Sequence, residues 1–118
     1  MITKTNIGVY CKVEGFHNFP NAIEAFGDDV DFLSVRHRHN FGITVEVKVR
    51  HDDRDKEFIL LQREIKDYIK RTYGEPAEFD SMSCEAIGRD ILEAFDAESV
   101  KVDEDGENYA IVKQIRIL

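Results

Sequence analysis

His37 and His39 stand two residues apart in the stretch 35–49, Val-Arg-His-Arg-His-Asn-Phe-Gly-Ile-Thr-Val-Glu-Val-Lys-Val. On a strand, residues two apart share a face, so two imidazoles at this spacing turn toward one point. His-x-His is therefore a natural pair of metal ligands, and a closed site needs a further ligand from another element. A third histidine has the right phase. Ile7, Val9, Cys11 and Val13 alternate with mostly polar neighbours over residues 5–14, with Tyr10 the exception. A strand that continues through Gly15 brings His17 onto that apolar face. The competing reading of His17, His37 and His39 is three polar residues at the end of a sheet. His51 is a poor partner for them, because twelve residues of strand separate it from His39 by about 40 Å.

These side chains need a scaffold. From His37 the odd positions run His37, His39, Phe41, Ile43, Val45, Val47, Val49, and the even ones Arg38, Asn40, Gly42, Thr44, Glu46, Lys48. Strict period two predicts a long strand to about residue 50 with one apolar and one polar face. The connection 18–34 is punctuated by Asn18, Pro20, Asn21, Gly27, Asp28 and Asp29, and 20–26 can form one or two helical turns. Connections this long often carry function. Residues 51–55 are a charged turn. Phe58, Leu61, Ile65, Tyr68 and Tyr73 predict a helix over 57–73, stopped by Gly74-Glu75-Pro76. A short acidic linker to Asp80 precedes a second helix over 83–96. Ile87, Ile91, Leu92 and Phe95 form its buried face, and Ser83 its N-cap. Strands at 100–104 and 109–117 flank a turn. The order ββααββ predicts an α+β fold: a four-stranded antiparallel sheet with two helices on its apolar face. The polar face carries Lys12, Arg38, Glu46, Lys48 and Arg50. Neither long strand contains proline to blunt an edge against pairing.

Composition narrows the classes. The length of 118 residues suits a single domain over 1–118. Hydrophobic residues make up 42% and charged residues 34%, which fits a soluble globular protein. No apolar run approaches the ~18 residues of a membrane span, and residues 1–6 lack the apolar stretch of a signal peptide. Two cysteines, Cys11 and Cys84, are too few for a disulfide framework and suit a reducing cytoplasm. The net charge of −8 argues against nucleic acid as a partner.

The ordered pattern of histidine, His-x-His, long strand, two helices and closing hairpin resembles the 6-pyruvoyl-tetrahydropterin synthase and 6-carboxytetrahydropterin synthase family, of the tunnelling (T-fold) type. His37-Arg38-His39-Asn40-Phe41 is similar to the family's His-Gly-His-x-aromatic, and Val13-Glu14-Gly15-Phe16-His17 stands where the family has its first ligand. Glu57-Phe58-Ile59-Leu60-Leu61-Gln62 resembles the Asp-Phe-x-x-Leu-Lys opening of the first helix. Ser83-Cys84-Glu85 resembles the Thr-x-Glu before the second, and Val102-Asp103-Glu104-Asp105 the C-terminal Val-x-Glu-Thr. The resemblance implies zinc on His17, His37 and His39 with an open fourth position, the arrangement of a catalytic site. It implies a pterin- or purine-like ligand whose N–H donors meet the Glu104 carboxylate, with Ser83 and Glu85 nearby. It also implies a homo-trimer or homo-hexamer with ligand sites between subunits.

Each of these acids has a plainer reading. Glu104 can be a solvated turn acid, Glu85 can complement a helix dipole, and Ser83 can act only as a cap. The departures are as specific as the matches. The family's catalytic cysteine lies four or five residues before His-x-His, where this chain has Leu33 and Phe32. Its Leu-Asp-His between the helices is replaced by Gly-Glu-Pro-Ala-Glu-Phe-Asp-Ser-Met over 74–82. The resemblance thus keeps ligands and anchor while losing the groups that move protons, and no catalytic residue is assigned. Three readings follow: a synthase-like lyase with altered chemistry, a non-catalytic metal- and ligand-binding module, or an interaction protein that reuses the fold without metal. Cys84, beside Glu85, reads as structural rather than nucleophilic; because a helix N-terminus would lower its pKa, it stays, with Asp80, an outside candidate for the missing proton chemistry.

Overall fold

The computed structural model describes residues 1–116. Its elements are β1 (Asn6–His17), α1 (Ala22–Phe26), 3-10 turns over Asp28–Ser34, β2 (His37–Lys48), α2 (Phe58–Tyr73), β3 (Ala77–Glu78), α3 (Cys84–Phe95), β4 (Ser99–Glu104) and β5 (Asn108–Lys113). The expected strands and helices are present, with ends shifted by a few residues. Ile117, the expected end of the last strand, lies outside the described residues. No helix among the described residues is long and apolar enough to cross a membrane.

The sheet has five strands rather than the expected four, in the order β3-β1-β2-β4-β5. The added strand is the two-residue β3, which runs parallel to β1 with Ala77 opposite Gly15 and Glu78 opposite Phe16. Two residues are too few to show alternation, so the segment reads as linker from its sequence. Tertiary contacts hold it. Phe79 N–H donates to Phe16 O at 2.9 Å and Asn18 N–H to Asp80 O at 2.9 Å. The Phe79 ring is buried against Phe41, 5.1 Å between centroids, and against Tyr73 at 4.8 Å. Arg36 donates to Glu78 while its guanidinium stacks 3.6 Å from the centre of the Phe16 ring.

β1 and β2 form the spine, an antiparallel ladder from Asn6 opposite Lys48 to His17 opposite His37. The odd residues Val9, Cys11, Phe41, Ile43, Val45 and Val47 are buried on one face. α2 packs on that face through Leu61, Ile65 and Ile69, spaced i, i+4, i+8. α3 packs through Ile87, Ile91 and Leu92. The termini of the helices match their sequence signals. Glu57 accepts from Ile59 N–H at the start of α2, and Gly74, at φ 91°, ends it in a conformation that side chains rarely adopt. Ser83 Oγ accepts from Ala86 N–H at 3.1 Å and caps α3. Tyr68 and Tyr73 on α2 both donate to Asp90 on α3, at 2.9 and 2.6 Å, and tie the two helices together.

On the polar face the close approach of β2 and β4 depends on Gly42. It faces Asp103 across the ladder. Its N–H donates to Asp103 Oδ1 at 3.2 Å, and the Asp103 carboxylate and Tyr10 hydroxyl fill the space a side chain would take. Gly42→Ala should therefore force β2 and β4 apart and destabilise the fold by about 1–3 kcal/mol, read as a lower urea midpoint. An unchanged midpoint would mean that Asp103 swings aside at no cost.

Candidate metal centre

The antiparallel order brings the end of β1, the start of β2 and the end of β4 to one end of the sheet. His17 lies directly opposite His37, Gly15 opposite His39, and Glu104 opposite Phe41. On β4 the inward residues are even-numbered, Val100 and Val102, so Glu104 shares their face. Four side chains from three strands thus converge: His17, His37, His39 and Glu104 each offer one ligand atom, all within 4.8 Å of one another. Ring centroids of the three imidazoles are 4.7 to 5.2 Å apart. Phe41 forms the floor, 5.2 Å from the His17 ring and 5.5 Å from that of His39. Arg38 points to the opposite face and donates to Glu14 at 2.6 and 2.9 Å.

The outer nitrogens define the chemistry. His17 Nδ1 lies 2.9 Å from Met82 O, His37 Nδ1 2.8 Å from Val35 O, and His39 Nδ1 2.7 Å from Asp105 Oδ2. Each of these oxygens can only accept, so each Nδ1 must carry its proton. In the neutral ring Nε2 is then a bare lone pair. Outer-shell acceptors of this kind orient metal-ligating histidines and raise their basicity.

His17 Nε2 is buried and 2.9 Å from Glu104 Oε2, without the alignment of a hydrogen bond and without another partner. His39 Nε2 is 3.4 Å from the same oxygen. Lone pairs facing a carboxylate repel, so a proton or a metal cation is needed between them. Burial alone pushes His17 toward neutrality, but the Glu104 carboxylate and the Met82 carbonyl outweigh it and hold its pKa above the ordinary value. The His17 imidazole keeps Glu104 ionised below the usual carboxylate range, against its burial. His39 and the Asn40 N–H do the same for Asp105. The donor set of three imidazoles and one carboxylate fits a divalent transition metal, zinc among them.

A cavity of about 460 Å³ opens beside the cluster, a size suited to a small molecule. His17, His37, Glu104, Ser83 and Glu85 all line it, so five of the six residues singled out in the sequence share one cavity wall. His39 joins them through the ligand cluster. Phe19, Phe26 and Leu33 from the long connection, with Tyr109 from β5, supply the apolar wall. Three residues that the sequence reading missed are the acceptors Val35, Met82 and Asp105. Two act through backbone carbonyls and leave no signature. Asp105 becomes recognisable once the register places it beside Asn40.

Cys84 falls on the structural side of its two readings. Burial, then the nearby charges of Glu104, Glu85 and Asp103, push its pKa up to about 12, overriding any effect of the helix N-terminus. It is a thiol at neutral pH and no ready nucleophile. Asp80 is not among the residues lining the cavity. Leu33, at one of the two positions where the resemblance would place a cysteine, lines the cavity with an apolar side chain.

Two outcomes follow for metal binding. Asp105→Ala removes the acceptor of His39 and should weaken metal binding roughly 10–100-fold, measured by chelator competition. Because the raised pKa of His17 keeps its proton in competition with metal, affinity should fall as pH drops through and below that pKa, with proton release on binding. Titration calorimetry in buffers of different ionisation heat reads that proton directly; metal binding with no proton release at pH 6.5 would contradict it.

No family model matches the sequence, and no curated protein matches it in a sequence search. Among solved structures, the chain is similar to that of Caenorhabditis elegans 6-pyruvoyl tetrahydropterin synthase, with a TM-score of 0.67 over 97% of this chain and 98% of that chain, at 11% sequence identity. At that identity the likeness is one of fold: the chain has a mixed α+β fold similar to that of this synthase.

Proposed function

We propose that the chain is a single T-fold domain that binds zinc through His17, His37 and His39 and holds a pterin- or purine-like small molecule in the adjoining cavity. The observation that carries this reading is the convergence of three imidazole Nε2 atoms, each with its Nδ1 proton committed elsewhere, at the wall of a cavity of ligand size. Zinc, when bound, supplies Lewis-acid polarisation of a ligand oxygen. The rest is done by the chain. Phe19, Phe26 and Tyr109 offer apolar and aromatic surface to a flat ring. Ser83, Glu85 and Glu104 add polar groups to the same lining, and a carboxylate matches the paired N–H donors of a pterin or guanine edge. The fold similarity to a pterin synthase is consistent with this ligand class.

The chemistry differs from that of the family the sequence resembles. Leu33 cannot move a proton, and Cys84 holds its own too tightly to serve as a base at neutral pH. These two observations favour, as a second reading, a binding module that retains metal and ligand without turnover. In assembly, β5 is an edge strand of six residues with Tyr109 and Ile111 exposed. Pairing that edge with another copy would remove an aggregation liability and is the basis for expecting a homo-trimer or homo-hexamer.

Protein purified without a histidine tag should carry about one zinc per chain, and His37→Ala combined with His39→Ala should abolish it. Stoichiometric metal surviving in that double variant would overturn the ligand assignment. Conversion of dihydroneopterin triphosphate should be lower than that of an intact synthase by ~10²–10⁴-fold, the usual contribution of general acid–base groups. Light scattering at micromolar concentration should give a trimer or larger; a monomer would refute the shared assembly.

A further inference from the structure

Glu104 lines the cavity, but its carboxylate also faces the histidine cluster. Its Oε2 sits against the histidines, 2.9 Å from His17 Nε2 and 3.4 Å from His39 Nε2. With metal–ligand bonds near 2.0–2.1 Å, neighbouring ligand atoms in a tetrahedron are roughly 3.3 Å apart. The two Glu104 contacts bracket that spacing. With His37 the four ligand atoms lie within 4.8 Å of one another, so the oxygen stands on the side of the cluster from which a fourth ligand would close it.

The backbone fixes this placement. On one side of Glu104, Asp103 Oδ1 accepts from Gly42 N–H at 3.2 Å and from Gly106 N–H at 2.9 Å. On the other, Asp105 Oδ1 accepts from Asn40 N–H at 2.8 Å, and Asp105 N–H donates to Asn40 O at 2.9 Å. Both neighbours are thus tied to the strand that carries His37 and His39. Glu104 has only its own side-chain torsions with which to leave. The charges also balance. A divalent metal on three neutral imidazoles keeps its full double charge. The Glu104 carboxylate and the Asp105 carboxylate behind His39 together offset it, which favours a closed site over one that holds an acidified water.

We propose that Glu104 is the fourth protein ligand of the metal when the cavity is empty, and that an oxygen or anionic donor reaches the metal only by displacing this carboxylate. The inference rests on the metal reading proposed above. It makes Glu104 a gate: the same side chain lines the cavity, so once displaced it is free to accept from the molecule that displaced it. An open three-histidine site and a gated one differ in what the metal shows to solvent, and that difference is measurable without any turnover.

The test uses the full chain loaded with Zn²⁺ for affinity and with Co²⁺ for its visible spectrum. Chelator competition should show Glu104→Gln binding Zn²⁺ at least about 100-fold more weakly than the wild type, beyond the 10–100-fold typical of losing an outer-shell partner. Azide should leave the Co²⁺ spectrum of the wild type unmoved at concentrations that shift it in Glu104→Ala. The wild-type arm does not depend on how a variant folds: a wild-type spectrum that responds to azide as readily as the variant's means an open site and overturns the gate. Equal Zn²⁺ affinity in wild type and Glu104→Gln overturns it as well, while leaving the three-histidine site intact. Failure of the wild type to bind either metal overturns the metal reading itself, and the gate with it.

Discussion

The register of the β1–β2 ladder is the constraint on which the rest depends. Twelve residues of each strand pair in one alignment, and that alignment sets His17 across from His37 and Gly15 across from His39. A slip of one residue would turn every side chain of one strand to the other face. For β1 it would send His17 to solvent and bring Lys12 and Glu14 into the core. The register is specified because the apolar faces are long and buried: Val9 and Cys11 on one strand, Phe41 through Val47 on the other. Packing that secures the fold therefore also secures the ligand geometry, and the site inherits its precision from the core.

The cluster sits at the boundary between that core and water. Beneath it Phe41 and Phe79 form a dry floor; around it every outer imidazole nitrogen has an acceptor. What is left unsatisfied is directed inward, toward one shared point. A buried polar network of this kind is costly when partly satisfied, and either a proton or a cation at that point would complete it. His17 keeps Glu104 ionised against its own burial, whereas burial and three facing acids together hold the proton on Cys84.

The chain shares its fold with a pterin synthase over 97% of its length at 11% sequence identity, so the likeness lies in the path of the backbone rather than in the side chains. Leu33 lies in the 3-10 turns before β2, and residues 74–82 form β3 and its flanking turns. Connections of this kind are where a scaffold tolerates change.

Side-chain phase and helix termini were legible in the sequence, because both are local. Period-two alternation put His17, His37 and His39 on apolar faces. The helical spacing of Phe58, Leu61, Ile65, Tyr68 and Tyr73 and the Ser83 cap announced the helices. The tertiary structure alone decided the rest. It added β3, whose two residues are held by Phe16, Phe79 and Arg36 rather than by any pattern of their own. It turned Glu104 onto the histidine cluster and set Asp105 behind His39, pairings between residues more than sixty positions apart. It raised the Cys84 pKa that a helix N-terminus alone would have lowered. A residue's face follows from its neighbours along the chain; its distance to a residue on another strand follows from register and packing, which no local pattern encodes.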